Sequence, residues 1–228
     1  MAELFDKYDA SYGAAVQSSI EFSGLPHSFF LQAKADLLRG LIDEHVGGPD
    51  RPQMLDVGCG VGSLHPYLRG LTDRLCGIDV SVASIAQAQR ANPSAEYRVF
   101  DGRSIPYDTG RFDLVTAVCV LHHVPPAQWR DFVGEMRRVV RPGGLVCIIE
   151  HNPFNPLTRL AVSRCEFDRD AVLLRLGTTR QLMTRVGLHA VDARYFLLLP
   201  TAAKLARRVE TGLRHLPLGA QYAVWGAG

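Results

Sequence analysis

The sequence is short of the features that would mark a membrane, secreted or nucleic-acid-binding chain. No apolar run approaches the roughly 20 residues that cross a bilayer. The start, Met1-Ala2-Glu3-Leu4-Phe5-Asp6-Lys7, holds acids where a secretory signal needs a basic start and an apolar stretch. The expectation is therefore a cytoplasmic protein with no membrane partner. The five cysteines (Cys59, Cys76, Cys119, Cys147 and Cys165) are odd in number and make no CxxC pair, which argues against a disulfide scaffold and a zinc ribbon. Lysine is scarce, three against 22 arginines, and the net charge of +2 is too small to demand a nucleic acid. Repeats and Gly/Ser linkers are missing too.

What is present suits one globular domain. The chain has 228 residues, 47% of them hydrophobic and 21% charged, enough for a full core. Charge is unevenly placed: acids outnumber bases through residue 151, and bases outnumber acids beyond it.

Residues 1–48 read as a helical N-terminal cap, broken at Gly24-Leu25-Pro26 and ended by Gly47-Gly48-Pro49. From 49 to 151 short apolar runs alternate with amphipathic stretches. Strands are predicted at 54–58, 75–79, 97–100, 112–120 and 145–150. Helices are predicted from 64, from a Ser81 cap to Arg90, and over 127–140. Continuous apolar strands joined by helices mean a parallel sheet covered on both faces, and right-handed crossovers make it doubly wound. Residues 152–176 break the rhythm with Asn152-Pro153-Phe154-Asn155-Pro156, which cannot start as a regular helix; a short helix follows from Thr158. The remainder, 177–228, reads as helix 179–186, strand 191–199, helix 202–213 and strand 222–225, closing as an antiparallel hairpin edge.

The strongest signal is Leu55-Asp56-Val57-Gly58-Cys59-Gly60-Val61-Gly62, a strand running into alternating glycines before a helix. Glycines there let the backbone turn sharply and approach a ligand. The dinucleotide pattern GxGxxG would need glycine at position 63, which is Ser63. Asp79 ends the next strand, placed to accept ribose hydroxyls. Asp101 follows the third strand, placed to accept an exocyclic amine.

These segments, with Phe112–Val124 and Val140-Arg141-Pro142-Gly143-Gly144, resemble the ordered motifs of class I S-adenosylmethionine-dependent methyltransferases, in particular the small-molecule group of ubiquinone and natural-product enzymes. The resemblance covers about residues 50–150. It implies an α/β fold with a seven-stranded, Rossmann-like sheet whose last strand is antiparallel. It also implies S-adenosylmethionine as cofactor. Carried over by position, Asp56, Gly58, Gly60 and Gly62 lie around the methionine part, Asp79 on the ribose with Val80 beside the adenine, and Asp101 and Gly102 on the adenine. Val118 and Cys119 lie by the amino group, and Lys34 is within reach of the carboxylate.

Methyl transfer from a sulfonium needs an acceptor held in line and, for a hydroxyl or protonated amine, a base. His151 and His123 are the leading candidates. His122 is the third, read as structural, because adjacent residues should not both point into one pocket. No acid cluster stands in sequence at the fourth strand end, so no metal is expected. Cys119 lacks the Pro-Cys context of a methyltransferase nucleophile and reads as buried filler. The acceptor is expected against the aromatics Tyr8, Tyr12, Phe22, Phe29 and Phe30 of the cap and against Asn152 and Arg159 of the 152–176 insertion. The favoured function is O-methylation of a small natural-product or sugar-containing molecule by a monomer or homodimer. The alternatives are N- or C-methylation, an RNA or protein substrate, and an inactive cofactor-binding subunit.

Overall fold

The computed structural model describes residues 12–46, 51–198 and 212–228. Tyr8 and most of the helix expected over 202–213 lie outside them.

Seven strands form one sheet in the order β3-β2-β1-β4-β5-β7-β6. They are β1 (Gln53–Val57), β2 (Arg74–Asp79), β3 (Glu96–Val99), β4 (Phe112–Val118), β5 (Val140–His151), β6 (His189–Phe196) and β7 (Gln221–Ala227). The first five pair in parallel, and β7 runs antiparallel to both β5 and β6. The antiparallel last strand and the antiparallel hairpin edge agree with the sequence, which left the order of these two strands open. β7 inserts between β5 and β6, so β6 is the edge. The residues explain this. Tyr222, Ala223 and Val224 are fully buried, whereas β6 is mostly half-exposed.

Alternation along the strands feeds two cores. Leu55, Val57, Val115, Ala117, Val146 and Ile148 pack on one face against Phe132, Val133 and Met136 of α5 (Trp129–Val139). Met54, Leu114, Cys147 and Ile149 pack on the other against Ala35, Leu38 and Leu41 of α2 (His27–Leu41). Ahead of α2, α1 (Tyr12–Ile20) ends in a 3-10 turn at Glu21–Ser23 and at Gly24, which is left-handed. α3 (His65–Leu68) and α4 (Val82–Ala91) follow β1 and β2, and Ser81 caps α4 by accepting from the Ser84 amide. Near β6 lies α7 (Leu176–Arg185).

Several expected boundaries move; the helix expected from Thr179, for one, starts at Leu176. The strand expected from 145 begins at Val140, because Arg141 to Gly144 continue β5 through a register shift against β4 rather than only closing a helix. The helix expected from Thr158 begins at Pro156 (α6, Pro156–Arg164). Proline suits the first helical position, where its missing N–H is not needed. Asn155 caps it by accepting from the Thr158 amide at 3.0 Å.

Sheet order reverses between β1 and β4, and the crevice at such a switch point is where open α/β sheets bind ligands. A cavity of about 450 Å³ opens there, at the carboxyl ends of β1, β2, β4 and β5.

Candidate cofactor and acceptor site

The glycine loop is built on three left-handed residues, Gly58 (φ 77°), Gly60 (φ 53°) and Gly62 (φ 70°). They differ in purpose. A Cβ on Gly58 would stand 2.6 Å from both methyls of Val120. A Cβ on Gly62 would stand 2.8 Å from the Tyr97 hydroxyl and 2.9 Å from Asn92 Nδ2, so Gly62 serves packing and does not line the cavity. At Gly60 nothing stands within 4 Å; its backbone borders open space inside the cavity. Gly58→Ala should therefore destabilise the fold by about 2–5 kcal/mol, combining left-handed strain with overpacking. Denaturant unfolding measures it. Adding Val120→Ala should recover the overpacking share and leave the strain.

The acids divide similarly. Asp56 faces Thr116 across the β1–β4 pairing and accepts its hydroxyl at 2.9 Å. Its other oxygen meets His65 Nε2 at 3.1 Å, and His65 Nδ1 meets the Tyr97 hydroxyl at 2.5 Å. His65, on α3, went unnoticed in the sequence; it anchors Asp56 from beneath the loop. Asp79 accepts the Gly60 amide at 2.8 Å through one oxygen and the Ser81 amide at 2.9 Å through the other. Burial pushes its carboxyl above the ordinary value, against those amide bonds. Asp101 is exposed at the cavity edge, and the amides of Ser104 and Arg103, each 2.8 Å from its Oδ1, hold its carboxyl below the ordinary value. Val80 and Gly102 line the cavity between these two acids.

Val118, Cys119 and Lys34 line the same cavity. Cys119 leaves β4 at φ 57°, a costly conformation for a residue with a side chain. Its amide donates to the Ile149 carbonyl at 2.8 Å. Burial raises the Cys119 thiol pKa, but Lys34 and His151 outweigh burial and bring it to about 7. Gln221, missed in the sequence, sits opposite His151 in the β5–β7 register and donates to Cys119 Sγ at 3.4 Å. Its Oε1 is buried without a partner. The signal for it was only positional: the first residue of a strand paired with His151.

The three histidines converge. His122 Nδ1 lies 2.5 Å from Glu150 Oε2, and Glu150 Oε1 accepts the Val120 and Leu121 amides at 3.1 and 2.7 Å. Asp168 reaches the same place from the 152–176 insertion, tied by the Val172 amide donating to the His122 carbonyl at 2.9 Å. Both His122 Nε2 and His123 Nε2 lie 3.4 Å from Asp168 Oδ1. The expectation that adjacent histidines point apart is corrected: both line the cavity, with ring centroids 4.1 Å apart, because Glu150 and Asp168 hold the short 3-10 turn that carries them. The expectation of no acids at the fourth strand end fails for the same reason, since Glu150 and Asp168 arrive there through space. Burial opposes a charge on His122, yet Glu150 and Asp168 hold its pKa well above the ordinary value. Burial and the His122 charge lower His123 to about 4. His151 lines the cavity with its ring centroid 5.1 Å from that of His122.

The expected acceptor contacts fare less well. Tyr12 begins α1, whose Val16, Ser19 and Ile20 line the cavity; Phe22, Phe29 and Phe30 do not. Phe22 lies under the Arg164 guanidinium at 5.4 Å, and Phe29 and Phe30 stack edge to face on each other. Asn152 is fully buried, donating to the Pro217 and Gly219 carbonyls at 3.0 and 2.7 Å and accepting the Phe154 amide at 3.1 Å, so its polar atoms brace the loop. Arg159 lines a neighbouring open cavity with Arg164 and Arg169.

Residues 55–148 match the family model for a methyltransferase domain. That segment, about two-fifths of the chain, is similar to methyltransferase domains. The chain's fold is that of the class I S-adenosylmethionine-dependent methyltransferases. An S-adenosylmethionine-dependent methyltransferase from Thermotoga maritima superposes over 100% of this chain and 99% of that one, with a TM-score of 0.72 at 15% identity. In sequence, the domain is 32% identical over 142 residues to a malonyl-[acyl-carrier protein] O-methyltransferase of Pseudescherichia vulneris, covering 60% of this chain and 50% of that protein. It is 32% identical over 121 residues to a ubiquinone biosynthesis O-methyltransferase of Acinetobacter baylyi, covering 49% and 50%. The chain spans about half the length of the curated relatives it matches. Among the described residues no helix is long and apolar enough to cross a membrane.

Proposed function

We infer that the chain is an S-adenosylmethionine-dependent methyltransferase acting on a hydroxyl of a small molecule, a natural-product or sugar-containing intermediate, in the cytoplasm. The observation that carries this reading is the single cavity that joins the glycine loop, Asp79 and Asp101 at one end to the histidines at the other.

The residues fit the cofactor. Lys34, which lines the cavity beside Cys119, is a cation for the carboxylate of the methionine part. The Asp79 carboxylate borders the cavity and, beyond the backbone amides it accepts, has acceptor capacity left for a ribose hydroxyl. Phe100, Val80 and Gly102 offer an apolar slot for the base. When bound, S-adenosylmethionine supplies a methyl on a sulfonium that leaves as a neutral thioether.

The chain's own work is positioning and proton removal. Val16, Ile20 and Leu31 of the cap and Ala161 and Val162 of α6 wall the acceptor end with apolar side chains and exclude water. His122 already holds its proton between two carboxylates and is not free to take another. His151, at the β5 end, is the group placed to accept the acceptor's proton as the new bond forms.

Isothermal calorimetry with S-adenosylhomocysteine, followed by an acceptor panel of phenols, sugar alcohols and amines read by cofactor consumption, tests the reading. Binding and turnover on a hydroxyl are expected. Absence of binding would overturn it, and binding without any turnover would favour the inactive-subunit alternative. His151→Gln should lower turnover at least about tenfold, in the range of general-base effects, with cofactor affinity unchanged. Full activity in that variant would remove His151 from the role.

A further inference from the structure

The cluster at the acceptor end has a geometry that proton bookkeeping alone leaves unexplained. Among the described residues, His122, His123 and Asp168 each offer one ligand atom, and these atoms all lie within 4.8 Å of one another. Each imidazole Nε2 is 3.4 Å from the same Asp168 oxygen. Two donors at that spacing subtend about 108° at a cation about 2.1 Å from each, close to a tetrahedral angle and at ordinary zinc–nitrogen and zinc–oxygen distances.

A second observation points the same way. His122 directs Nδ1 at Glu150, while Glu150's other oxygen is occupied by two backbone amides. A carboxylate behind a histidine, fixing the tautomer so that Nε2 faces forward, is the usual support of a metal-bound imidazole. Glu150 is itself fully buried and cannot turn away to solvent. Two histidines and one carboxylate leave the remaining coordination positions open, and here the three side chains border the cavity.

We propose that His122 Nε2, His123 Nε2 and the Asp168 carboxylate form a binding site for one divalent transition cation of the zinc class, the cation displacing to solvent the proton that His122 Nε2 shares with Asp168 while Nδ1 keeps its proton on Glu150. Glu150 is a positioning residue for His122. On the methyltransferase reading, the open positions take an acceptor oxygen, so the acceptor class narrows to hydroxyl compounds able to ligate a cation. The cation would favour the ionised hydroxyl, whose proton passes to His151. The oxygen then forms its bond to the methyl as the carbon–sulfur bond breaks, the electron pair staying on sulfur.

The test uses the full chain stripped of metal and titrated with Zn²⁺ by calorimetry and with Co²⁺ by visible absorption. One ion per chain is expected, with a Co²⁺ spectrum of low coordination number. His123→Gln and Asp168→Asn should each weaken binding at least about tenfold, and Glu150→Gln should weaken it by about 10–100-fold. Exposed His189→Gln should leave it unchanged. Each variant is also titrated with S-adenosylhomocysteine, which reports an intact cofactor half. A chain that binds S-adenosylhomocysteine but neither cation overturns the cation site and leaves the methyltransferase reading standing. Cation binding that survives in both His123→Gln and Asp168→Asn overturns it as well. Cation binding without any nucleoside binding would keep the site and defeat the reading it was attached to.

Discussion

Glu150→Ala should unfold about 3–5 kcal/mol more easily than the native chain, the largest stability loss expected of any single change at this site. The substitution strips three bonds at once. Two amides, of Val120 and Leu121, lose their acceptor, and His122 keeps a buried proton with no carboxylate behind it. Burial alone would raise the Glu150 carboxyl, but His122 holds it below the ordinary value, so the pair is charged and mutually dependent. For a chain of this size each kcal/mol moves the thermal midpoint by about 2–4 °C, which places the fall near roughly 10 °C. Scanning calorimetry measures it. An unchanged midpoint would mean that the 3-10 turn at Leu121–His123 is held by something other than this carboxylate. Glu150→Gln, which keeps an acceptor for the amides, should lose less.

The second large effect concerns binding. Asp79→Ala should weaken S-adenosylhomocysteine affinity about 100-fold or more. Hydrogen bonds to a charged acceptor contribute about 1.5–3 kcal/mol each, and about 1.4 kcal/mol is tenfold in affinity. The change removes the acceptor for the ribose and also frees the Gly60 amide that the carboxylate pins at 2.8 Å. The glycine loop then loses one of its ties to β2, keeping the Gly58 and Cys59 amides on the Ile78 carbonyl. Asp101→Ala should cost far less, because Asp101 is exposed and its structural bonds reach only its own turn. Equal losses in the two variants, by calorimetry, would mean that Asp79 does not stand on the ribose.

The part of the site written in consecutive residues was readable from the chain. Alternating glycines between a strand and a helix require left-handed turns, and all three prove left-handed. Acids at successive strand ends point at one crevice because parallel strands share a direction. The misreadings share a cause. Gln221, Glu150 and Asp168 enter the site by strand register or by a distant loop, neither of which leaves a local pattern. Phe22, Phe29 and Phe30 of the cap have the right chemistry but do not line the cavity, which Val16, Ser19 and Ile20 border instead. Asn152 looked like a polar ligand-binding residue and proves to be a brace, since a buried amide must satisfy its own hydrogen bonds first.

The sequence by itself determined the parallel α/β core, the glycine loop and the acids that border it, because each depends on periodicity and spacing within a few residues. Only the tertiary structure decided that β7 enters between β5 and β6, that His122 and His123 face one carboxylate together, and that Gln221 donates to Cys119. Those outcomes depend on contacts between segments far apart in the chain. Burial settles them, drawing the apolar Tyr222–Val224 run inside and with it the polar groups that flank the run.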